Sequence, residues 1–193
     1  MSVKRALGGF KRRTTQTAVQ QARPLTHEIL EQVAGVLRDE RESFVAWRTV
    51  WRMSMSFYGM LRWDEVSKLT VADIRMTEER MTVFIKRSKT DQLSRGASVE
   101  IHGHVGAEEL SLTCPIRLTK QYIRRLGAEA QTEEAGGRLL QPRMNPRGHQ
   151  SGSDKIIGYD TALRDLRRMI GKIGLPEKAV SYTHLTLPTN REV

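Results

Sequence analysis

Arg62 and Glu65 stand three residues apart, just past a helix-breaking glycine at Gly59. That spacing puts both side chains on one face of a helix, where the carboxylate can hold the guanidinium in place. An arginine held at a helix start offers a planar fork to two oxygens of a phosphate. Further along, Lys86, Arg87 and Lys89 crowd into the run Ile85-Lys86-Arg87-Ser88-Lys89-Thr90-Asp91-Gln92. An arginine and a glutamate at this spacing are in most proteins a surface ion pair, and a Ser-Lys-Thr turn is common, so order and context carry the weight.

Other chemical candidates are weaker. His102 and His104 make a metal-like pair at a strand end, but no carboxylate or cysteine is spaced to complete it, so a surface location is expected. Cys114 precedes a proline without a neighbouring histidine and reads as a buried or half-buried thiol. Tyr58 and Tyr159 fall on apolar helical stripes and Tyr122 sits beside one; all three read as structural. No metal or cofactor is expected.

The elements that must position these residues follow from periodicity. Leu25, Ile29, Val33 and Leu37 recur at helical spacing behind a Thr26 cap. A second helix runs from about Ser43 to Tyr58, with Phe44, Trp47, Trp51, Met55 and Tyr58 as its apolar stripe. A shorter one covers Arg62 to Leu69. The period then changes: Met81, Val83 and Ile85 alternate with Thr82, Phe84 and Lys86, and Val99 and Ile101 repeat the pattern after a polar turn over residues 91–96. The segment Val71 to Met76 is a candidate third strand. Pro115 opens a helix through Leu126. After a Gly-, Pro- and Arg-rich loop over residues 133–158, a last helix uses Tyr159, Leu163, Leu166, Ile170 and Ile173 and stops at Gly174. Helices, a small antiparallel sheet, then helices again make an α+β domain.

Charge narrows the partner. The 193 residues carry 32 Lys and Arg against 22 Asp and Glu, a net +10. Residues 1–25 hold Lys4, Arg5, Lys11, Arg12, Arg13 and Arg23 and no acid, which reads as a basic arm or linker. Arg117, Lys120, Arg124 and Arg125 form a second basic set, and Arg164, Arg167, Arg168 and Lys172 a third. A polyanionic partner follows. A single cysteine excludes an internal disulfide framework and suits a reducing compartment. No apolar run reaches the length of a membrane span, and the basic N-terminus lacks the apolar core of a secretory signal.

The segment Tyr58-Gly59-Met60-Leu61-Arg62-Trp63-Asp64-Glu65-Val66-Ser67-Lys68-Leu69, with Asp73-Ile74 beyond it and the Ser88-Lys89-Thr90 turn, resembles the catalytic domain of the tyrosine recombinase (phage integrase) family. There an arginine follows a small turn, an acid comes one helical turn later, and a lysine sits between two strands. The resemblance runs from about Arg23 to Pro176. It implies a mainly helical α+β domain with a small antiparallel β-sheet, acting on duplex DNA without metal or cofactor. It gives Arg62 and Lys89 catalytic roles, with Glu65 in support. Arg62 would neutralise the scissile phosphate and Lys89 would protonate the departing 5′ oxygen. Lys86, Arg87, Arg95, Lys11, Arg12 and Arg13 would bind DNA. A full-length member would work as a homo-tetramer on DNA, inside the cell: in the nucleus of a eukaryote, or in the cytoplasm or nucleoid of a bacterium. On this resemblance residues 1–22 are the end of a core-binding domain with its basic linker, and 23–178 a partial catalytic domain, incomplete at its C-terminus.

The family also uses a His-x-x-Arg box and a late tyrosine nucleophile. At the matching place the chain reads Val180-Ser181-Tyr182-Thr183-His184-Leu185-Thr186-Leu187-Pro188-Thr189, so neither Tyr182 nor His184 fits. This string resembles a translated transposon-based sequencing adapter. Residues 179–193 are therefore expected to be artefactual and the true product to continue past Lys178. Cleavage would then belong to the longer protein, with this chain binding DNA only. Two other readings compete. One is a non-catalytic DNA-binding or scaffold protein that kept the fold. The other is a basic RNA-binding protein, which lacks the aromatic strand or Gly-x-x-Gly loop it would use.

Overall fold

A computed structural model describes residues 24–39, 43–87, 96–104, 111–127, 137–144 and 155–176. The basic arm with Lys11, Arg12 and Arg13, the turn with Lys89 and Arg95, and the tail 179–193 lie outside them. The described elements are α1 (His27–Gly35), α2 (Phe44–Tyr58), α3 (Trp63–Ser67), β1 (Ile74–Met76), β2 (Arg80–Ile85), β3 (Ala97–His102), α4 (Pro115–Leu126) and α5 (Tyr159–Lys172). One-turn 3₁₀ segments, Val36–Arg38 and Val71–Asp73, follow α1 and precede β1.

Local chemistry sets the helix ends. The Thr26 hydroxyl accepts the Ile29 N–H at 3.3 Å, and the Ser43 hydroxyl accepts that of Ala46 at 3.4 Å. Gly127 stops α4 in the left-handed conformation, φ 67°. The three strands pair antiparallel in the order β1-β2-β3, with Ile74 opposite Val83 and Met81 opposite Ile101. Met81, Val83, Ile85 and Ile101 point into the core, as the alternation predicts, while Phe84 stays exposed over Gly96. The candidate first strand is shorter than expected. Val71–Asp73 curls into a 3₁₀ turn because the Asp73 carboxylate accepts the Thr70 N–H and hydroxyl, leaving only Ile74–Met76 extended.

Helix α2 is the centre of the molecule, packed by α1, α4 and α5. Every residue from Ala46 to Ser56 is buried, including Arg48 and Arg52, where the sequence reads as one apolar stripe. Both arginines are satisfied by chain far away in sequence. Arg48 donates to the Pro142 carbonyl at 2.6 Å and to Asp165 Oδ2 at 2.8 Å. Arg52 donates to Gln141 Oε1 at 2.9 Å and to the Ala162 carbonyl at 3.1 Å. Burial lowers the Arg48 guanidinium from its ordinary pKa, against which the Asp165 carboxylate pulls it back up. Tyr122 is structural, as expected. It stacks on Trp51 at 5.0 Å between ring centres and donates to the Leu140 carbonyl at 2.6 Å, and burial drives its hydroxyl pKa well up. Tyr159 departs from its stripe. It is the first residue of α5 and 41% exposed, its ring tilted onto Trp63 at 5.7 Å.

Candidate phosphate-binding site

The chain turns sharply between α2 and α3, and that turn delivers Arg62. Gly59 is required there by crowding. A Cβ at this position would lie 2.8 Å from the Met55 carbonyl oxygen and 2.9 Å from Ile101 Cδ1. The left-handed residue is its neighbour: Met60 has φ 50° and a side chain 60% exposed. Leu61 then plugs into the core, and Arg62 follows as the residue capping α3.

Glu65 secures this arginine. Its Oε2 accepts the Arg62 backbone N–H at 2.7 Å, and its Oε1 lies 3.7 Å from Arg62 Nη1. The carboxylate is buried, at 8% exposure, while the arginine is half exposed. A buried acid therefore engages both the backbone N–H and the guanidinium of a half-exposed arginine. On the same helix the ring of Trp63 covers the Arg52 guanidinium at 5.3 Å, which ties the start of α3 to the buried network of α2.

Glu65 also lines a cleft of about 120 Å³ together with Lys68, Asp73, Phe84, Lys86 and Arg87. The structure thus brings Glu65, Lys86 and Arg87 to one cleft at the junction of α3 and the end of β2, and Arg62 is joined to that cleft through Glu65. Lys68 pairs with Asp64 at 2.7 Å. Lys86 Nζ lies 2.9 Å from Asp73 Oδ1, and Arg87 is exposed. Asp73 is the residue that sequence reasoning missed as part of this site. Its signal was legible as Thr70-x-x-Asp73, a capping pattern, but nothing local reveals that the same carboxylate also takes Lys86 from across the sheet.

The remaining candidates sit elsewhere. His102 is exposed, 3.5 Å from Glu100, and His104 is half buried against the rings of Tyr58 and His27. Among the described residues no group of three or more His, Cys, Asp or Glu could hold a metal ion, and no helix is long and apolar enough to cross a membrane. Cys114 is buried.

No protein-family model and no curated protein matches the chain. Solved structures do. The XerH site-specific recombinase bound to its difH substrate, in a pre-cleavage complex, matches with a TM-score of 0.53 and 16% identity, over 84% of this chain and 40% of that one. Its post-cleavage complex on palindromic difH matches at 0.54 and 15%, over 89% and 42%. A Flpe mutant in a DNA Holliday junction complex matches at 0.54 and 10%, over 96% and 47%. The fold is tyrosine recombinase-like. The chain spans less than half the length of each of these recombinases. Within the tyrosine recombinase-like fold, Arg62 and Glu65 occupy the turn and helix that follow the central helix α2, and Lys89 falls in sequence between β2 and β3, outside the described residues.

Proposed function

We propose that this chain is the duplex-DNA-binding part of a DNA-breaking and -rejoining enzyme of the tyrosine recombinase type. The observation that carries the reading is Arg62: a half-exposed guanidinium braced by a buried glutamate, on a recombinase-like fold. A phosphate that gains negative charge in strand cleavage needs fixed cations already in place, and Arg62 meets that need. Glu65 is the supporting acid. Lys89 is the proton donor to the 5′ oxygen, on the strength of the family resemblance. Arg87, Arg95, Lys11, Arg12 and Arg13 supply backbone contacts that position the duplex. The longer protein, carrying a His-x-x-Arg box and a tyrosine, would cleave through a 3′-phosphotyrosyl intermediate and assemble as a tetramer on DNA.

The test takes both forms. The 193-residue chain, titrated with labelled duplex against competing structured RNA, should prefer duplex and release it as salt rises. A preference for RNA would sink the reading. In a protein extended past Lys178 through a natural His-x-x-Arg box and tyrosine, Lys89→Ala should slow cleavage, and a substrate with a better 5′ leaving group should restore most of the rate. Absence of rescue would remove Lys89 as the acid, and absence of any cleavage would favour a non-catalytic DNA-binding protein.

A further inference from the structure

Asp73 is 5% exposed, and its carboxylate is crowded with donors. Oδ2 accepts the Thr70 N–H at 2.9 Å and the Thr70 hydroxyl at 2.7 Å. Lys86 Nζ reaches both oxygens, at 2.9 Å from Oδ1 and 3.0 Å from Oδ2. The lysine side chain is itself 62% exposed. The pair is therefore lopsided. An exposed ammonium that loses its partner is hydrated at once, whereas a buried carboxylate that loses its cation keeps a charge it cannot share with water. Asp73 thus holds Lys86 more firmly than Lys86 needs to be held.

On the family resemblance Lys86, which flanks Lys89, was expected to bind DNA through its phosphate backbone. We propose instead that Asp73 sequesters Lys86. The carboxylate takes up the ammonium's charge and keeps it when duplex DNA binds, so the end of β2 is fixed beside Glu65 without adding a phosphate contact there. Asp73 is a positioning residue on this account, and it limits sequence-independent binding by the basic face. The inference rests on the reading of this face as a duplex-DNA surface.

Each phosphate neutralised by the protein steepens the dependence of log K on log salt by about 0.9. In the 193-residue chain Lys86→Met should therefore leave the slope on a labelled duplex unchanged. Asp73→Asn retains an oxygen for Thr70 and should free the ammonium, steepening the slope by about 0.9 and tightening binding several-fold at about 50 mM salt. In the Lys86→Met background Asp73→Asn should change neither quantity. Acetylation of Lys86, followed by peptide mass, should quicken several-fold in Asp73→Asn without DNA present.

Contrary outcomes are distinct. A slope flattened by about 0.9 in Lys86→Met would show that Lys86 already neutralises a phosphate and would overturn the proposal. Persistence of the Asp73→Asn effect without Lys86 would reduce Asp73 to a distant repulsive charge. Unchanged Lys86 acetylation would show that the pair does not protect the amine. Lys86→Met leaves the buried Asp73 carboxylate without its cation, so if it fails to fold the double variant with Asp73→Asn, which buries no charge, decides the matter, with the slope of the unaltered chain expected. Salt-insensitive binding by the unaltered chain would end the DNA reading itself.

Discussion

Glu65 grips Arg62 twice: one carboxylate oxygen accepts the Arg62 backbone N–H at 2.7 Å, and the other lies 3.7 Å from its guanidinium. The first contact is a short hydrogen bond. The second is longer than a hydrogen bond and acts as an ion pair. Backbone and side chain of the arginine are thus referred to the same buried acid, so the turn cannot shift without disturbing both.

Replacing that acid separates the two contacts. Glu65→Gln keeps an oxygen for the Arg62 N–H and removes the charge, so it should change stability little. Glu65→Ala removes the acceptor as well and should cost about 1 kcal/mol, the usual magnitude for a lost helix cap. Urea unfolding of the two variants checks this. Equal losses in both would mean that the ion pair, and not the backbone contact, holds the turn.

The turn before Arg62 stores conformational strain. Met60 is left-handed without being glycine, which costs about 1 kcal/mol or more. Met60→Gly should therefore raise the melting temperature despite the added freedom of the unfolded chain. Gly59→Ala should do the reverse, by about 1–3 kcal/mol, because its Cβ collides with a backbone oxygen and with Ile101. Thermal melts of both variants are sufficient. Stabilisation by Gly59→Ala would contradict the packing described here.

Buried charge on α2 gives a larger effect. Arg48→Ala strands Asp165 and the Pro142 carbonyl and should cost about 3–5 kcal/mol. Arg48→Met combined with Asp165→Asn should recover a large part of that loss, since neither charge is then left behind. Denaturant midpoints across the set measure the coupling. Additive losses would show that the two residues do not act as a pair.

These residues also mark where sequence reading ran out. Thr26 and Pro115 announce their helix starts because first-turn chemistry is local, and Met81, Val83 and Ile85 announce their strand through alternation. The Arg62–Glu65 pair was legible for the same reason, as a contact within one helical turn. Arg48 and Arg52 were not, because a charged residue reads as surface until its distant partners at Gln141, Pro142 and Asp165 are known. Lys86 read as a free cation because Asp73 meets it only once the sheet forms. Tyr159 read as part of an apolar stripe because its period matched, yet as the first residue of α5 it lies at the edge of what that helix covers.

On the proposed function Arg62 meets a phosphate of duplex DNA. Fluorescence anisotropy of a labelled duplex, titrated with the unaltered chain and with Arg62→Ala from about 50 to 200 mM salt, tests it directly. Log K should fall linearly with log salt for both proteins, with a slope about 0.9 shallower for Arg62→Ala and most of the affinity retained. Identical slopes for the two proteins would contradict it.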